Sequence, residues 1–411
     1  MKPEQFFFPD TSGIKDVYGR MCMFHGCTLE NSNNFLPFTE EHEMFRAAFR
    51  KFVEKEMVPY YNEWTKNREV SKDLYRKMGD LGYLCTWADK KYGGQGLDFL
   101  FSIVEIQETS RHGMSAVASW LHSDIVAPYL NTFGSEELKE KYLPAIVKGE
   151  KLICVAMTEP EAGSDLASIC TTALKDGNEY VINGNKTYIT NGYISDLVVV
   201  AAKTDPSKGP KGISLILVDT NTPGFTRNKL NKIGFHAQDT AELHFQDVRV
   251  PVGNILGQEG KGLNYLMSKL QQERIVAAQL AQGQAERALE VSVDYARQRE
   301  MFGKHLIDLQ HTQFTLADMA TEVSVGRAFV DALVLQHLKG EASPVEVSMA
   351  KYYCTEMAHR VASKGLQIHG GAGYCYEDYE IGRLFADTRV QCISAGTSEV
   401  MKLLIGRSLI A

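Results

Sequence analysis

Met157-Thr158-Glu159-Pro160-Glu161-Ala162-Gly163-Ser164-Asp165 closes an apolar run, Leu152 to Met157, with the length and composition of a buried strand. Pro160 fixes one backbone angle, Gly163 opens conformations closed to other residues, and Ser164 adds a hydroxyl. A turn of this build can aim backbone N–H groups and a side-chain donor at a phosphate. It can equally be an ordinary strand-to-loop turn. What lies on either side decides between the two.

Upstream, residues 39 to about 150 read as helices. Thr39 is placed to cap a helix whose Phe45, Phe49, Phe52 and Val53 recur at helical spacing. Ser71 precedes Leu74, Met78 and Leu81, with a stop at Gly82, and Ser135 opens a helix expected to end near Pro144. Downstream, from about 151 to 252, the period changes to two. Asp176-Gly177-Asn178 is a hairpin signal, and Asn183-Gly184-Asn185 reads as a second turn, between Tyr180–Ile182 and Lys186–Thr190. Leu197–Ala202 and Ile213–Val218 read as buried strands joined by the loop Asp205–Gly212. Ala241, Leu243 and Phe245 alternate with polar residues, as in a strand wet on one face. From about 258 the helical period returns. Phe314, Ala317, Ala320 and Val323 are expected on one face, followed by Val330, Val334 and Leu338. Ser343-Pro344-Val345-Glu346 is a capping box whose helix should run to Gly370-Gly371. Ala277, Ala278, Ala281, Gly283 and Ala285 let helices approach closely. The expected fold is α with inserted β: an extension at 1–38, an N-terminal helical domain at 39–150, a middle β-barrel at 151–252 and a C-terminal four-helix bundle at 258–411.

The bulk properties exclude several classes of function. A chain of 411 residues needs two or three domains, and 44% hydrophobic with 23% charged residues is globular composition. A formal charge of −7 without a basic run argues against nucleic acid, and no stretch approaches the roughly 20 apolar residues of a membrane span. No GxGxxG follows a strand, which excludes a dinucleotide-binding βαβ unit. Met1–Pro9, with its Phe6-Phe7-Phe8 cluster, reads as neither signal peptide nor mitochondrial presequence. Eight cysteines lack CxxC spacing, and Cys154 and Cys354 sit among apolar neighbours like reduced thiols of a cytoplasmic protein. Cys22, His25 and Cys27 fall short of a metal set, so no metal is expected.

Six motifs in order then carry a resemblance: Met157–Asp165, Tyr188–Gly192, Ala237–Thr240, Arg297–Gly303, Gln367–Gly371 and Ala395–Glu399. From about residue 39 to 410 the chain resembles the acyl-CoA dehydrogenase family, the long-chain enzymes most and the isovaleryl-CoA enzymes second. The resemblance implies the helical, barrel and bundle domains already read from periodicity. It also implies FAD, and oxidation of the Cα–Cβ bond of an acyl-CoA thioester, with a carboxylate taking the α-proton and flavin the β-hydride. By the same resemblance, Met157, Thr158, Gly163 and Ser164 would contact flavin and its phosphates, and Tyr188, Ile189 and Thr190 would line its ring. Arg299, Phe302, Gln310, Gln367, His369, Gly370 and Gly371 would reach FAD across a subunit interface, and Thr397, Ser398 and Glu399 would complete the site. Ser164, Lys211, Gly212, Asn264, Arg274, Ala395 and Gly396 would face the acyl-CoA. Asn264 departs from the aromatic residue usual in long-chain enzymes, so a chain length does not follow.

The family's commonest arrangement puts the catalytic glutamate directly before Gly-Thr of the last motif, where this chain has Ala395. A methyl group takes no proton. The long-chain and isovaleryl enzymes instead carry the base in a Glu-Arg pair on a bundle helix, which Glu273-Arg274 matches. A lone mid-helix glutamate is usually a solvated surface residue; paired with Ala395 it becomes the expected base. Its pKa should be raised by burial. The resemblance further implies a homotetramer, an electron-transfer flavoprotein as acceptor, and a cytoplasmic enzyme, or a matrix enzyme in a eukaryote. Alternatives are an oxidase that reoxidises flavin with O₂, a dehydrogenase of a carrier-protein-bound acyl group, and a non-catalytic flavin-binding relative.

Overall fold

Helical spacing of apolar residues produces α1 (Glu40–Glu56), with Phe49, Phe52 and Val53 buried and Phe45 packed against them. The structure, a computed structural model, describes residues 35–375 and 377–410. Phe6–Phe8 and the Cys22, His25, Cys27 set lie outside the described residues. The chain continues through α2 (Tyr61–Asn67), α3 (Lys72–Asp80), α4 (Phe99–Arg111), a π-helix at Leu121–Val126, α5 (Ala127–Phe133) and α6 (Glu136–Val147). Ser71 caps α3 by accepting from the Asp73 N–H at 3.2 Å. The helix after Ser135 does not stop near Pro144 as expected. It runs to Val147, because burying Leu143, Ile146 and Val147 outweighs the single N–H that proline lacks.

The eight strands β1 (Ile153–Ala156), β2 (Thr172–Asp176), β3 (Glu179–Thr190), β4 (Leu197–Lys203), β5 (Ile213–Asp219), β6 (Phe225–Lys229), β7 (Thr240–Pro251) and β8 (Ile255–Leu256) form one sheet. Its order is β6-β7-β3-β2-β4-β5-β8, with β1 parallel beside β4, so the barrel is left open between β6 and β8. Strands β4 and β5 read as unbroken apolar runs because both faces are covered. Val199, Ala201, Leu215 and Leu217 pack on the helical domain, while Val198, Val200, Ala202, Ile216 and Val218 fill the sheet's own core. Asp176 and Glu179 pair at a hairpin, as the sequence reads. Asn183-Gly184-Asn185 is no turn: it lies inside β3, where the pairing with β7 slips between Ile182 and Gly184. Gly184 has φ 149°, and a Cβ there would stand 2.4 Å from Thr171 Oγ1. The glycine that looks like a hairpin signal is a bulge residue under close backbone approach.

After the sheet come α7 (Gly262–Gln298), a small hairpin of β9 (Glu300–Met301) and β10 (Lys304–His305), α8 (Gln310–Leu338), α9 (Pro344–His369), α10 (Gly371–Tyr374), α11 (Glu380–Gln391) and α12 (Ser398–Ile410). Ser343 Oγ accepts from the Glu346 N–H at 3.2 Å to start α9. Gly283 of α7 sits so close to α4 that a Cβ would meet Ser110 Cβ at 2.4 Å, which is why the segment is small. On α8 the expected face is rotated. Phe314 and Ala317 are exposed, while Ala320 and Val323 are buried as expected, with Thr312, Leu316 and Met319 beside them. Leu316 and Met319, one turn apart, supply the bulk that faces α7 and α9.

Candidate active site

The turn after β1 is held from below by a buried ion pair. Glu159 and Ala162 exchange both backbone hydrogen bonds, at 3.0 and 3.1 Å, which pinches the loop over Pro160 and Glu161. Lys186 of β3, fully buried, donates Nζ to Glu159 Oε1 at 2.7 Å and to the Met157 carbonyl at 3.0 Å. The Glu159 carboxylate also accepts from the Thr171 N–H at 3.0 Å and from the Cys170 N–H. Burial pushes the Glu159 carboxyl up, yet the Lys186 charge prevails and holds it below its ordinary range; burial lowers the Lys186 amine to about 8 against the opposing Glu159 charge. The pair leaves Gly163 and Ser164 exposed at the rim, and a Cβ on Gly163 would meet nothing within 4 Å. Met157 and Thr158 are half-buried, and the Thr158 carbonyl accepts from the Thr187 N–H at 3.0 Å. That bond ties the turn to Tyr188, where β3 slips again between Lys186 and Ile189. Tyr188 has φ 58° and a ring 70% exposed, while Ile189 is buried and Thr190 half-buried. An open, hydroxyl-bearing turn beside an uncovered aromatic ring is what a flat heterocycle with a phosphate tail requires.

Glu273 lies on α7 with one carboxylate oxygen, Oε2, buried and without a hydrogen-bond partner. Burial raises its pKa from 4.5 to about 7, opposed by the charges of Arg274 and Lys351. Tyr129 of α5, fully buried, also has an unpartnered hydroxyl; burial, and then the Glu273 charge, push that phenol well above its ordinary range. Arg274 turns the other way: its Nε donates to the Ala395 carbonyl at 3.3 Å, and buried Lys351 of α9 donates to the Gly396 carbonyl at 2.7 Å. Ala395 and Gly396 have φ of 55° and 94°, so two cations hold a left-handed corner in place one residue from Glu273. The structure thus brings Glu273, Arg274, Ala395 and Gly396 together.

The other residues named from the sequence fall in two places. At one end of the bundle, the Tyr295 ring stacks on His369 with centroids 4.1 Å apart. That contact sets the end of α9, with Gln367, His369, Gly370 and Gly371 at or after it, against the end of α7, which Arg299 follows; Phe302 lies at the hairpin tip and Gln310 starts α8. Phe302 is 87% exposed with φ 51°. His369 Nδ1 is paired with the Gly365 carbonyl at 2.8 Å, and burial lowers its pKa. At the start of α12, Thr397 Oγ1 accepts from the Val400 N–H at 3.3 Å, Ser398 donates to Glu356, and Glu399 is exposed. Lys211 is exposed; Gly212 is buried, and a Cβ there would meet the Asp205 carbonyl at 1.9 Å, so packing alone requires glycine. Asn264 is exposed on the first turn of α7.

Helices on either side of a sheet, an open turn beside an exposed tyrosine, and an unpartnered carboxylate define a cofactor-dependent oxidoreductase. The comparisons narrow the class. Family models match as acyl-CoA dehydrogenase N-terminal domain over residues 39–150, middle domain over 154–248 and C-terminal domain over 260–410. The chain is 43% identical over 377 residues to the long-chain specific acyl-CoA dehydrogenase, mitochondrial, of Rattus norvegicus, covering 91% of this chain and 87% of the other. It is 39% identical over 376 residues to a 3-(aryl)acrylate reductase of Clostridium sporogenes, covering 91% and 99%. Among solved structures, an acyl-CoA dehydrogenase from Geobacillus kaustophilus superposes with a TM-score of 0.89 at 53% identity, covering 91% and 99%. The chain belongs to the acyl-CoA dehydrogenase family. It is a flavoprotein oxidoreductase that takes FAD and acts on acyl-CoA.

Sequence reading missed the residues that hold the site from behind. Lys186, Lys351 and Tyr129 carry no motif. The available signal is a lysine at position 186 between Ile182 and Ile189, the one charged residue from Tyr180 to Thr190. Asp239, in the Ala237–Thr240 motif, is another: its Oδ2 accepts from the Tyr193 N–H at 2.6 Å and its carbonyl from the Asn191 N–H at 3.1 Å, bracing the loop after Tyr188–Thr190.

Proposed function

We propose that the chain oxidises an acyl-CoA thioester to the 2-enoyl-CoA with Glu273 as the base. The observation that carries the reading is the buried, unpartnered Glu273 Oε2 beside the Ala395 corner. A proton acceptor must be uncharged-paired and free to receive. Glu273 meets that need, since Arg274, its nearest cation in sequence, is turned to Ala395. Bound FAD would supply the acceptor for the hydride of the β-carbon. Glu273 takes the α-proton, so both C–H bonds break and one C=C bond forms. A base with pKa about 7 is half ionised near neutral pH, where its basicity is greatest for its population.

Met157, Thr158, Gly163, Ser164, Tyr188, Ile189 and Thr190 would hold the flavin and its phosphates, with Thr397, Ser398 and Glu399 beside them. Arg299, Phe302, Gln310 and the Gln367–Gly371 end would complete a neighbouring copy's site, which requires a homo-oligomer; we take it to be a tetramer. Exposed Phe302 fits a residue awaiting such a partner. Lys211 would meet the CoA end of the substrate. Electrons would pass to an electron-transfer flavoprotein. Six free cysteines among the described residues fit the cytoplasm, or the matrix of a mitochondrion. The test is anaerobic bleaching of the flavin by a panel of straight and branched acyl-CoAs. Glu273→Gln should retain FAD and lose bleaching; undiminished bleaching removes Glu273 from the role.

A further inference from the structure

Beside Glu273 lies a pair of buried acids that the dehydrogenation does not use. Ser102 and Glu105 sit one turn apart on α4, and Asp124 sits on the π-helix Leu121–Val126; all three are at least nine-tenths buried. Ser102 Oγ donates to Asp124 Oδ1 at 2.6 Å. Glu105 Oε1 has no hydrogen-bond partner. Gln272, the residue before Glu273, donates Nε2 to the Asp124 carbonyl at 2.6 Å, which ties the pair to the catalytic turn of α7. Ile106, next to Glu105, shares one core with Val276 and Leu280, one and two turns beyond Glu273. The Tyr129 hydroxyl is a second unpartnered group, fully buried on α5 and within the electrostatic reach of Glu273. Buried polar atoms without partners, Glu105 Oε1, Tyr129 Oη and Glu273 Oε2, thus lie on α4, α5 and α7, and α4 and α5 both pack against α7.

Resting on the dehydrogenase reading, we propose that the acyl group this site takes carries a hydroxyl beyond its β-carbon, held by Glu105 and Asp124. A plain alkyl chain would leave the Glu105 carboxyl buried and unpaired, a cost that such sites convert into rejection of the analogue lacking the polar group. Burial, and then the Asp124 charge, hold Glu105 well above the ordinary carboxyl range; burial raises Asp124 to about 7 against the Ser102 hydrogen bond. A hydroxyl accepts from the protonated Glu105 and donates to Asp124, without forcing either acid to ionise.

The test uses the FAD-loaded enzyme and matched acyl-CoAs of four to eight carbons. Each unsubstituted chain is compared with its 4-, 5- or 6-hydroxy, ω-amino and ω-carboxy counterparts. One hydroxylated chain should exceed its parent at least about tenfold in kcat/KM for flavin bleaching. The corresponding hydroxylated enoyl-CoA should bind with a similarly lower Kd by calorimetry. Glu105→Leu should reverse both preferences toward the plain chain, and Glu105→Gln, which keeps a donor and an acceptor, should restore part of them. A plain-chain preference at every length, or a preference for the amino or carboxy chain, overturns the inference while bleaching still upholds the dehydrogenase. Absence of bleaching with all thioesters overturns the dehydrogenase reading instead, and the calorimetric comparison then decides this one alone.

Discussion

Replacing Glu273 by Gln should stabilise the protein, and more at pH 8 than at pH 5. In the folded chain the carboxyl titrates near 7 rather than 4.5, because burial disfavours the charged form by more than Arg274 and Lys351 favour it. For an acid with a raised folded-state pKa, the unfolded chain releases its proton first as pH rises. The cost to stability is therefore absent below about 4.5 and complete above about 7. A shift from 4.5 to about 7 is worth about 3 kcal/mol at roughly 1.4 kcal/mol per unit, an upper figure for a group that retains some access to water. Glutamine has no charge to desolvate, so the variant escapes this term. The variant-minus-wild-type stability should grow by about 1–3 kcal/mol between pH 5 and pH 8. Urea denaturation of both proteins at the two pH values, read by fluorescence, measures the difference. A stability difference that stays flat from pH 5 to 8 would refute the claim that this carboxylate is held desolvated and waiting for a proton.

Lys186→Met should cost about 3–5 kcal/mol, since it strands the Glu159 carboxylate in the interior; urea midpoints measure it, and FAD content should fall with it because Met157 loses its anchor. Gly184→Ala should cost about 1–3 kcal/mol in the same assay, because its Cβ would stand 2.4 Å from Thr171 Oγ1; an unchanged midpoint would show that β3 yields there. In the Glu273→Gln background, adding Ala395→Glu should restore measurable flavin bleaching, since Ala395 is hydrogen-bonded to Arg274, the residue after Glu273; complete inactivity of the double variant would show that the corner does not face the reacting carbon.

Legibility followed periodicity. The helices of the first block, the buried strands β4 and β5 and the long bundle helices were readable because each repeats an apolar period over many residues. Gly184 reads as a turn residue because Asn-Gly-Asn has the chemistry of a turn, and only the β3–β7 pairing shows that the glycine is needed for a bulge. Phe314 reads as inward because it is large and apolar, but the neighbours that fix the face of α8 come from α7 and α9, far away in sequence. At the site, Glu273 was legible as a contrast with Ala395, a relation between two positions of one chain. Glu159 with Lys186, and Glu105 with Asp124, were not, because a buried charge announces itself only when the fold shows what surrounds it.

The location of the base follows from the corner that replaced it. Ala395 keeps the left-handed backbone, φ 55°, of a position that does not suit side chains, and the Arg274 and Lys351 cations are committed to the carbonyls of this corner. Those commitments explain why Glu273 Oε2 has no partner although two cations lie close: each donates to a backbone oxygen, so both act on the carboxylate only through their charge. Had Arg274 paired with Glu273 directly, the pKa would have fallen instead of rising, and the carboxylate would be a poorer base at neutral pH. The alanine corner and the raised glutamate pKa are one arrangement, in which the backbone at 395–396 draws away the charges that would otherwise quench the base.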